Sequence, residues 1–112
     1  MDNCIFCKII NREIPSEIVY EDDKMIAFKD VNPVAPVHVL MIPKAHIPSA
    51  MDITEENADV IAHIFNNAKK VAGIMGITDS GFRIVNNCGE NAGQTVMHLH
   101  FHLIGGKTLL WP

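Results

Sequence analysis

What this sequence lacks narrows its function first. No apolar run reaches the roughly 18–20 residues that a membrane-spanning helix needs. No run of Lys or Arg exists beyond the pair Lys69-Lys70, and the formal net charge is −4 with the six His counted neutral. Proteins that hold DNA or RNA neutralise phosphates with clustered cations, so a nucleic-acid polymer is not the expected partner. A single small nucleotide stays open, because backbone N–H groups and a few polar side chains can hold one. The opening residues Met1-Asp2-Asn3-Cys4 carry neither the basic region nor the apolar stretch of a signal peptide, and the expected location is the cytoplasm. Cysteine is scarce: Cys4 and Cys7 form a C-x-x-C pair, Cys88 is left over, and an odd count of 3 is not a disulfide framework. Linkers, internal repeats and low-complexity tracts are also missing, and the prolines are scattered as element boundaries.

What is present is the composition of an ordinary globular domain, with 48% hydrophobic and 20% charged residues in 112 positions. One domain over residues 1–112 is expected. It is long enough to bury a modest core, and short enough that a partner subunit would help.

The apolar-rich segment 4–11 predicts one or two turns of helix, broken at Ile14-Pro15-Ser16. Strands are predicted over 18–21, 25–28, 38–42, 81–86 and 97–104, from β-branched and aromatic runs bounded by turn residues. Two prolines make 30–36 a loop. One long helix is predicted over 52–75. Asp52 with Glu55 gives it a capping-box-like start, with Thr54 as an alternative, and Gly76 gives it a stop. Its apolar face reads as Ala58, Ile61, Ala62, Phe65, Ala68, Ala72 and Met75. Strands in runs with one main helix predict an α+β fold with an antiparallel sheet of about five strands.

The last strand carries the strongest chemical signal. Half of the six histidines fall in the run His98-Leu99-His100-Phe101-His102. Strand alternation puts the three imidazoles on one face and Leu99, Phe101 and Leu103 on the other. Such a face can hold a metal, or a nucleophile with supporting acid–base groups. The preceding loop Asn91-Ala92-Gly93-Gln94-Thr95 supplies a flexible glycine, an amide and a hydroxyl, and such a turn can aim N–H groups at a phosphate; it can also be only a turn. Cys4-x-x-Cys7 has metal-ligand spacing, with His46 and one triad histidine as candidates to complete a zinc site; the pair can equally be two small buried hydrophobes. Asp30, after a strand end, can take both hydroxyls of a ribose or simply make an Asx turn. His38 and His63 read as bland: His38 begins a strand with no polar partner nearby in sequence, and His63 lies one residue beyond the helix's apolar stripe.

Taken together, these segments resemble the histidine triad (HIT) family. His98-Leu99-His100-Phe101-His102-Leu103 looks like its signature. Cys4-Ile5-Phe6-Cys7-Lys8-Ile9-Ile10, the segment from Ala27 to Pro36, Ile42-Pro43-Lys44-Ala45-His46-Ile47 and Gly93-Gln94-Thr95-Val96-Met97-His98 follow in family order. Trp111-Pro112 is similar to the Hint branch. The resemblance implies an α+β homodimer with a short N-terminal helix, the long helices packed together and the sheets joined across the interface.

It also implies that His100 attacks the α-phosphorus of a purine nucleoside phosphoramidate, that an amine leaves, and that water releases AMP from the nucleotidyl-histidine. By the same resemblance, Asp30 would bind ribose, and Ile5, Phe6, Ile14, Phe28 and Val31 would line the base pocket. Asn86, Gly93, Gln94, Thr95 and His102 would surround the phosphate and leaving group. Cys4, Cys7, His46 and His98 would hold a structural zinc, as in the zinc-binding bacterial-type subgroup. A dinucleoside polyphosphate hydrolase of the Fhit type is the alternative enzyme, and a nucleotide-binding module with little turnover the alternative outside catalysis.

Overall fold

The computed structural model describes residues 3–111; of the terminal pair Trp111-Pro112, only the tryptophan lies among them, and Met1 and Asp2 lie outside. A short helix α1 (Ile5–Ile10) is followed by strands β1 (Ile18–Glu21), β2 (Met25–Lys29) and β3 (Val37–Pro43). The long helix α2 (Ala58–Ile74), strand β4 (Phe82–Val85) and strand β5 (Phe101–Gly105) complete the order. The five strands form one sheet in the order β1-β2-β3-β5-β4, with every neighbouring pair antiparallel. This is the α+β architecture expected from the strand-rich pattern. No helix among the described residues is long and apolar enough to cross a membrane.

The central strands are covered on both faces, which explains their near-continuous apolar sequence. Met25, Ala27, Val37, Val39, Met41, Leu99, Phe101 and Leu103 face α2 and pack with Ile64, Ala68, Val71 and Ala72. Ile26, Phe28, Leu40 and Ile42 face the other way, onto Phe6 and Ile9 of α1. The side chains of His98 and His100, just before the last strand, lie on this second side against Phe6 of α1. Past β5 the chain turns at Gly106, where φ is +90° and a Cβ would sit 3.0 Å from the Pro36 Cβ, so only glycine fits without strain.

Two predicted elements shift. The long helix begins at Ala58, not at Asp52, because Ser49 instead caps a separate 3-10 turn over Ala50–Asp52. Its core face is Ile64, Asn67, Ala68, Val71 and Ala72, while Phe65 of the predicted stripe is 45% exposed. Both stripes satisfy a period of 3.6, and burial favours the one that carries Ile64 and Val71. The last strand pairs only from Phe101, since residues 97–100 are extended or bent without ladder partners. Alternation nevertheless holds, with Leu99 and Leu103 fully buried against α2.

A polar staple ties α2 to the first hairpin. Asp22 accepts from the Lys24 and Met25 amides, from the Tyr20 hydroxyl and from His63, and Asn67 Nδ2 donates to the His63 carbonyl oxygen. His63, bland in the sequence, is therefore a tertiary contact. Those donors overcome burial and hold the Asp22 carboxyl well below the ordinary range.

Leu103 is expected to be one of the costliest core truncations. Leu103→Ala should lower the unfolding free energy by about 2–5 kcal/mol in urea titration. A loss under about 1 kcal/mol would show that the α2 face of β5 is not tightly packed.

Candidate functional site

The site grows from the segment that enters β5. His98 and His100 precede the ladder, and the main chain holds their rings in place. His98 Nε2–H donates to the Pro43 carbonyl oxygen at 2.8 Å. A carbonyl only accepts, so in the neutral ring the lone pair is on Nδ1. That nitrogen faces Cys4 Sγ at 3.4 Å, Cys7 Sγ at 3.6 Å and His46 Nδ1 at 3.2 Å. Cys7 Sγ lies 3.2 Å from His46 Nδ1. The four donor atoms lie within 4.8 Å of one another, a group that could hold a metal ion. Cys4 caps α1, its sulfur accepting from the Cys7 amide at 3.2 Å. Burial and the neighbouring Cys4 push the Cys7 thiol up to about 11.

His100 is fixed in the same manner. Its Nδ1–H donates to the His98 carbonyl oxygen at 2.7 Å, so the neutral ring carries its lone pair on Nε2. Asn86 Nδ2 donates to the His100 carbonyl oxygen at 2.9 Å and holds the strand entry. Phe6 packs edge-on against His100, His98 and Phe28 at centroid distances of 5.1, 6.0 and 5.5 Å. One α1 side chain thus links the metal-type cluster, the middle histidine and a predicted base-pocket residue.

His102 stands 5.1 Å, ring to ring, from His100. Burial first, then His100 and His38, pull its pKa down to about 4, and burial lowers His38 and His98 as well. All three rings are neutral near pH 7. The partner that sequence reasoning missed is His38, whose Nε2 lies 2.8 Å from His102 Nδ1 and 3.5 Å from Asp30 Oδ2. In β3, His38 pairs with Ile104 and Leu40 pairs with His102. That register brings His38 beside His102, and nothing within either strand's own sequence announces it.

The remaining predicted residues divide. Phe6 and Phe28 are buried together, and Ile14 packs on the same cluster. Ile5 is half exposed, and Val31 is open to solvent, apart from that group. Asp30 accepts from the Asn32 amide at 2.8 Å through Oδ1, the Asx turn, while Oδ2 faces His38. Gly93 has φ +85°, which its place in the turn requires. Gln94 is buried, and its side chain is fully used: the amide nitrogen donates to the Pro48 and Val96 carbonyls, and Oε1 accepts from the Gly89 amide. Thr95 is exposed and lines a cavity of about 600 Å³ with Asn3, Cys4, Ile5, His46, Val96 and Met97.

The family model described as the C-terminal binding region of the scavenger mRNA decapping enzyme matches residues 3–109. An uncharacterized HIT-like protein of Synechocystis is 53% identical over 111 residues, 99% of this chain and 96% of that protein. The chain belongs to the HIT family. The purine nucleoside phosphoramidase of Escherichia coli is 44% identical over 108 residues, 96% of this chain and 91% of that protein. The structure of a HIT family hydrolase from Clostridium thermocellum superposes with a TM-score of 0.97 at 54% identity, covering 100% of this chain and 97% of that one.

The lowered imidazoles make the fold acid-sensitive. His102 titrates near 6.5 in an unfolded chain and near 4 in the folded one, so protons favour unfolding between those values. This contribution to stability is intact above about pH 6.5 and is lost as pH falls toward 4, with the lowered His38 acting in the same direction. The urea midpoint is expected to be lower at pH 5 than at pH 7; a higher midpoint at pH 5 would contradict neutral burial of these rings.

Proposed function

We propose that this protein hydrolyses purine nucleoside phosphoramidates through a covalent nucleotidyl-His100 intermediate. One observation carries the reading: the His98 carbonyl holds the proton of His100 on Nδ1 and leaves a lone pair on Nε2. A neutral imidazole in that form is a ready nucleophile near pH 7. The phosphoramidase of Escherichia coli, alike over almost its whole length, supplies the substrate class.

In the first step His100 Nε2 bonds to the α-phosphorus while the P–N bond breaks. The departing amine takes one proton from solvent, matched by the one released in the second step, and the ring keeps its Nδ1–H as an N-phosphorylated imidazolium, facing the His98 carbonyl. In the second step water bonds to phosphorus, the P–Nε2 bond breaks, one proton is released and neutral His100 returns. The sum is phosphoramidate plus water giving AMP plus amine. The attacking imidazole is already oriented, which removes part of the entropic barrier.

The other residues take supporting roles in this reading. Asp30 Oδ2, not used by the Asx turn, receives the ribose hydroxyls. Phe6, Phe28 and Ile14, with Ile5 and Val31 at the rim, hold the base. The turn at Gly93 and Thr95 contacts the phosphate together with His102, while Asn86 holds the strand entry. Gln94 acts as a brace of this loop, since both ends of its amide are bonded within the protein.

The metal in this reading is zinc. Tetrahedral Zn–N bonds of about 2.0 Å and Zn–S bonds of about 2.3 Å place two nitrogens about 3.3 Å apart and a nitrogen and a sulfur about 3.5 Å apart. The cluster shows 3.2 Å between nitrogens and 3.2–3.6 Å from nitrogen to sulfur. Two thiolates and two imidazoles would leave no position for water, so an ion held by Cys4, Cys7, His46 and His98 would supply structure, tying α1 to the catalytic strand. The Pro43 carbonyl completes the site by fixing the ring of His98. A homodimer also belongs to this reading: Phe65 and Ile74 on α2 and Phe82 on the edge strand β4 are large apolar side chains left exposed in one chain.

Three outcomes test the proposal. Protein mixed with an adenylated amine, quenched without strong acid and digested, should carry the nucleotidyl group on His100, and His100→Ala should lose nearly all turnover while still binding AMP. An adduct on His102, no adduct with substantial turnover, or faster cleavage of diadenosine triphosphate than of the amine would overturn it. Elemental analysis of protein purified without added metal should find about one zinc per chain. Less than a tenth of an equivalent, with both thiols freely reactive, would rule out the structural ion.

A further inference from the structure

Helix α1 is lightly attached to the sheet. Among the described residues, the main-chain hydrogen bonds of the segment 4–14 all stay within it. The segment meets the rest of the chain through three kinds of contact. Phe6 and Ile9 pack on Ile26, Phe28, Leu40 and Ile42. Arg12 pairs with Glu21. The sulfurs of Cys4 and Cys7 face the rings of His46 and His98.

The sulfurs are also reachable from solvent. A cavity of about 540 Å³ is lined by Cys7 and His46, and the cavity of about 600 Å³ beside Thr95 is lined by Cys4 and His46. Cys4, Cys7 and His46 are half-buried, and His98 alone of the four is sealed. Cys4 caps α1, Cys7 follows three residues on, and their sulfurs lie within 4.8 Å of each other. A C-x-x-C pair at the start of a helix has the spacing at which thiols and disulfides interconvert.

We propose that Cys4 and Cys7 form a redox switch: a hydroperoxide joins them in a disulfide, the metal is expelled, and α1 loses its tie to His46 and His98. The proposal rests on the zinc reading of this cluster, because a metal-bound pair of thiolates is its reduced state.

A thiolate, and not a thiol, attacks a peroxide, and a bound cation makes thiolates of both sulfurs. The two sulfurs differ. Cys4 Sγ accepts from the Cys7 amide, which stabilises its negative charge and blunts its attack. No amide donates to Cys7 Sγ among the described residues, and only the two imidazoles face it. Cys7 is therefore the attacking sulfur. With hydrogen peroxide, its electron pair bonds to one oxygen, the O–O bond breaks, and hydroxide leaves behind the sulfenic acid of Cys7. Cys4 Sγ then bonds to Cys7 Sγ, the S–O bond breaks, and a second hydroxide leaves. Two thiolates and one peroxide give one disulfide and two hydroxides, the sulfurs losing the two electrons that the peroxide gains. The two imidazoles that remain are half of a closed zinc site, and a neutral disulfide does not replace the thiolates. Phe6 lies between the two cysteines in the chain and packs on His100 and Phe28. Once oxidised, α1 is held by its apolar side and Arg12, so the wall that Phe6 builds loosens with the loss of metal.

The test uses full-length, zinc-loaded protein carrying Cys88→Ser, which leaves Cys4 and Cys7 as the only thiols. Hydrogen peroxide is added at neutral pH, zinc release is followed with a chromogenic chelator, the thiols are mapped by mass spectrometry, and AMP binding is measured by calorimetry. About one zinc per chain should be released in step with a disulfide joining Cys4 to Cys7. The Kd for AMP should rise roughly tenfold, the size of an ordinary coupling between sites. A dithiol reductant with added zinc should reverse all three changes. Dimedone present during oxidation should trap the sulfenic acid on Cys7. Zinc lost without a disulfide, a disulfide with unchanged AMP affinity, or a dimedone adduct on Cys4 alone would overturn the switch. Protein that takes up no zinc before peroxide is added overturns the metal reading itself. Zinc that stays bound through peroxide leaves that reading standing and overturns the switch.

Discussion

The arrangement depends on main-chain groups deciding where four imidazoles keep their protons. The carbonyl of Pro43 takes the Nε2–H of His98, and the carbonyl of His98 takes the Nδ1–H of His100. The amide of Val34 gives its proton to His38 Nδ1. From these three contacts follow a lone pair facing the cysteines and a lone pair on His100 Nε2, and, through the 2.8 Å contact of His38 Nε2 with His102 Nδ1, an N–H on His102 Nε2. Histidine suits such a task because its two nitrogens exchange donor and acceptor roles at almost no cost in water. Fixing the role requires a partner that cannot itself change, and a peptide group is such a partner.

The fold makes those peptide groups rigid. β3 and β5 are adjacent, and β3 is buried along its whole length between α2 on one side and the α1 residues on the other. Burying His38, His98 and His102 in such a place favours their neutral forms, which suits a directed chain of hydrogen bonds. The cost appears in acid, where the same burial works against the folded state. Burying Cys7 beside Cys4 has a similar character: the thiol resists ionisation, and a cation is what makes thiolates stable there. The metal-type cluster and the middle histidine share His98, through its ring on one side and its carbonyl on the other. Cys4 and Cys7 thus touch the ring of the same residue whose carbonyl holds His100.

Much of this was legible in the sequence, for local reasons. Alternation alone separated His98, His100 and His102 from Leu99, Phe101 and Leu103, and it survives where no ladder exists. The C-x-x-C spacing pointed to a pair of metal ligands, and Cys4 at the helix cap and Cys7 inside the helix gather with His46 and His98 in a cluster that could hold an ion. The five strands and both helices follow from short β-branched runs and one long periodic segment. What was not legible is set by tertiary register. His38 looked isolated because its partner lies 64 residues away and is brought beside it by the β3–β5 pairing. His63 looked like a stripe edge because Asp22 reaches it from a hairpin. Gln94 carried the signal of a ligand-facing amide, yet its side chain is bonded within the loop to Gly89 and Val96 and across to the Pro48 carbonyl. The start of α2 was masked by Ser49, whose cap on a separate turn displaces the helix by six residues from Asp52 to Ala58.

Neutron diffraction from nucleotide-free crystals grown near pH 7 tests the central claim most directly, because it locates the deuterons. The account predicts one deuteron per ring, on His98 Nε2, His100 Nδ1, His38 Nε2 and His102 Nε2. A deuteron on His100 Nε2 with Nδ1 bare, or a doubly protonated His102, would contradict it.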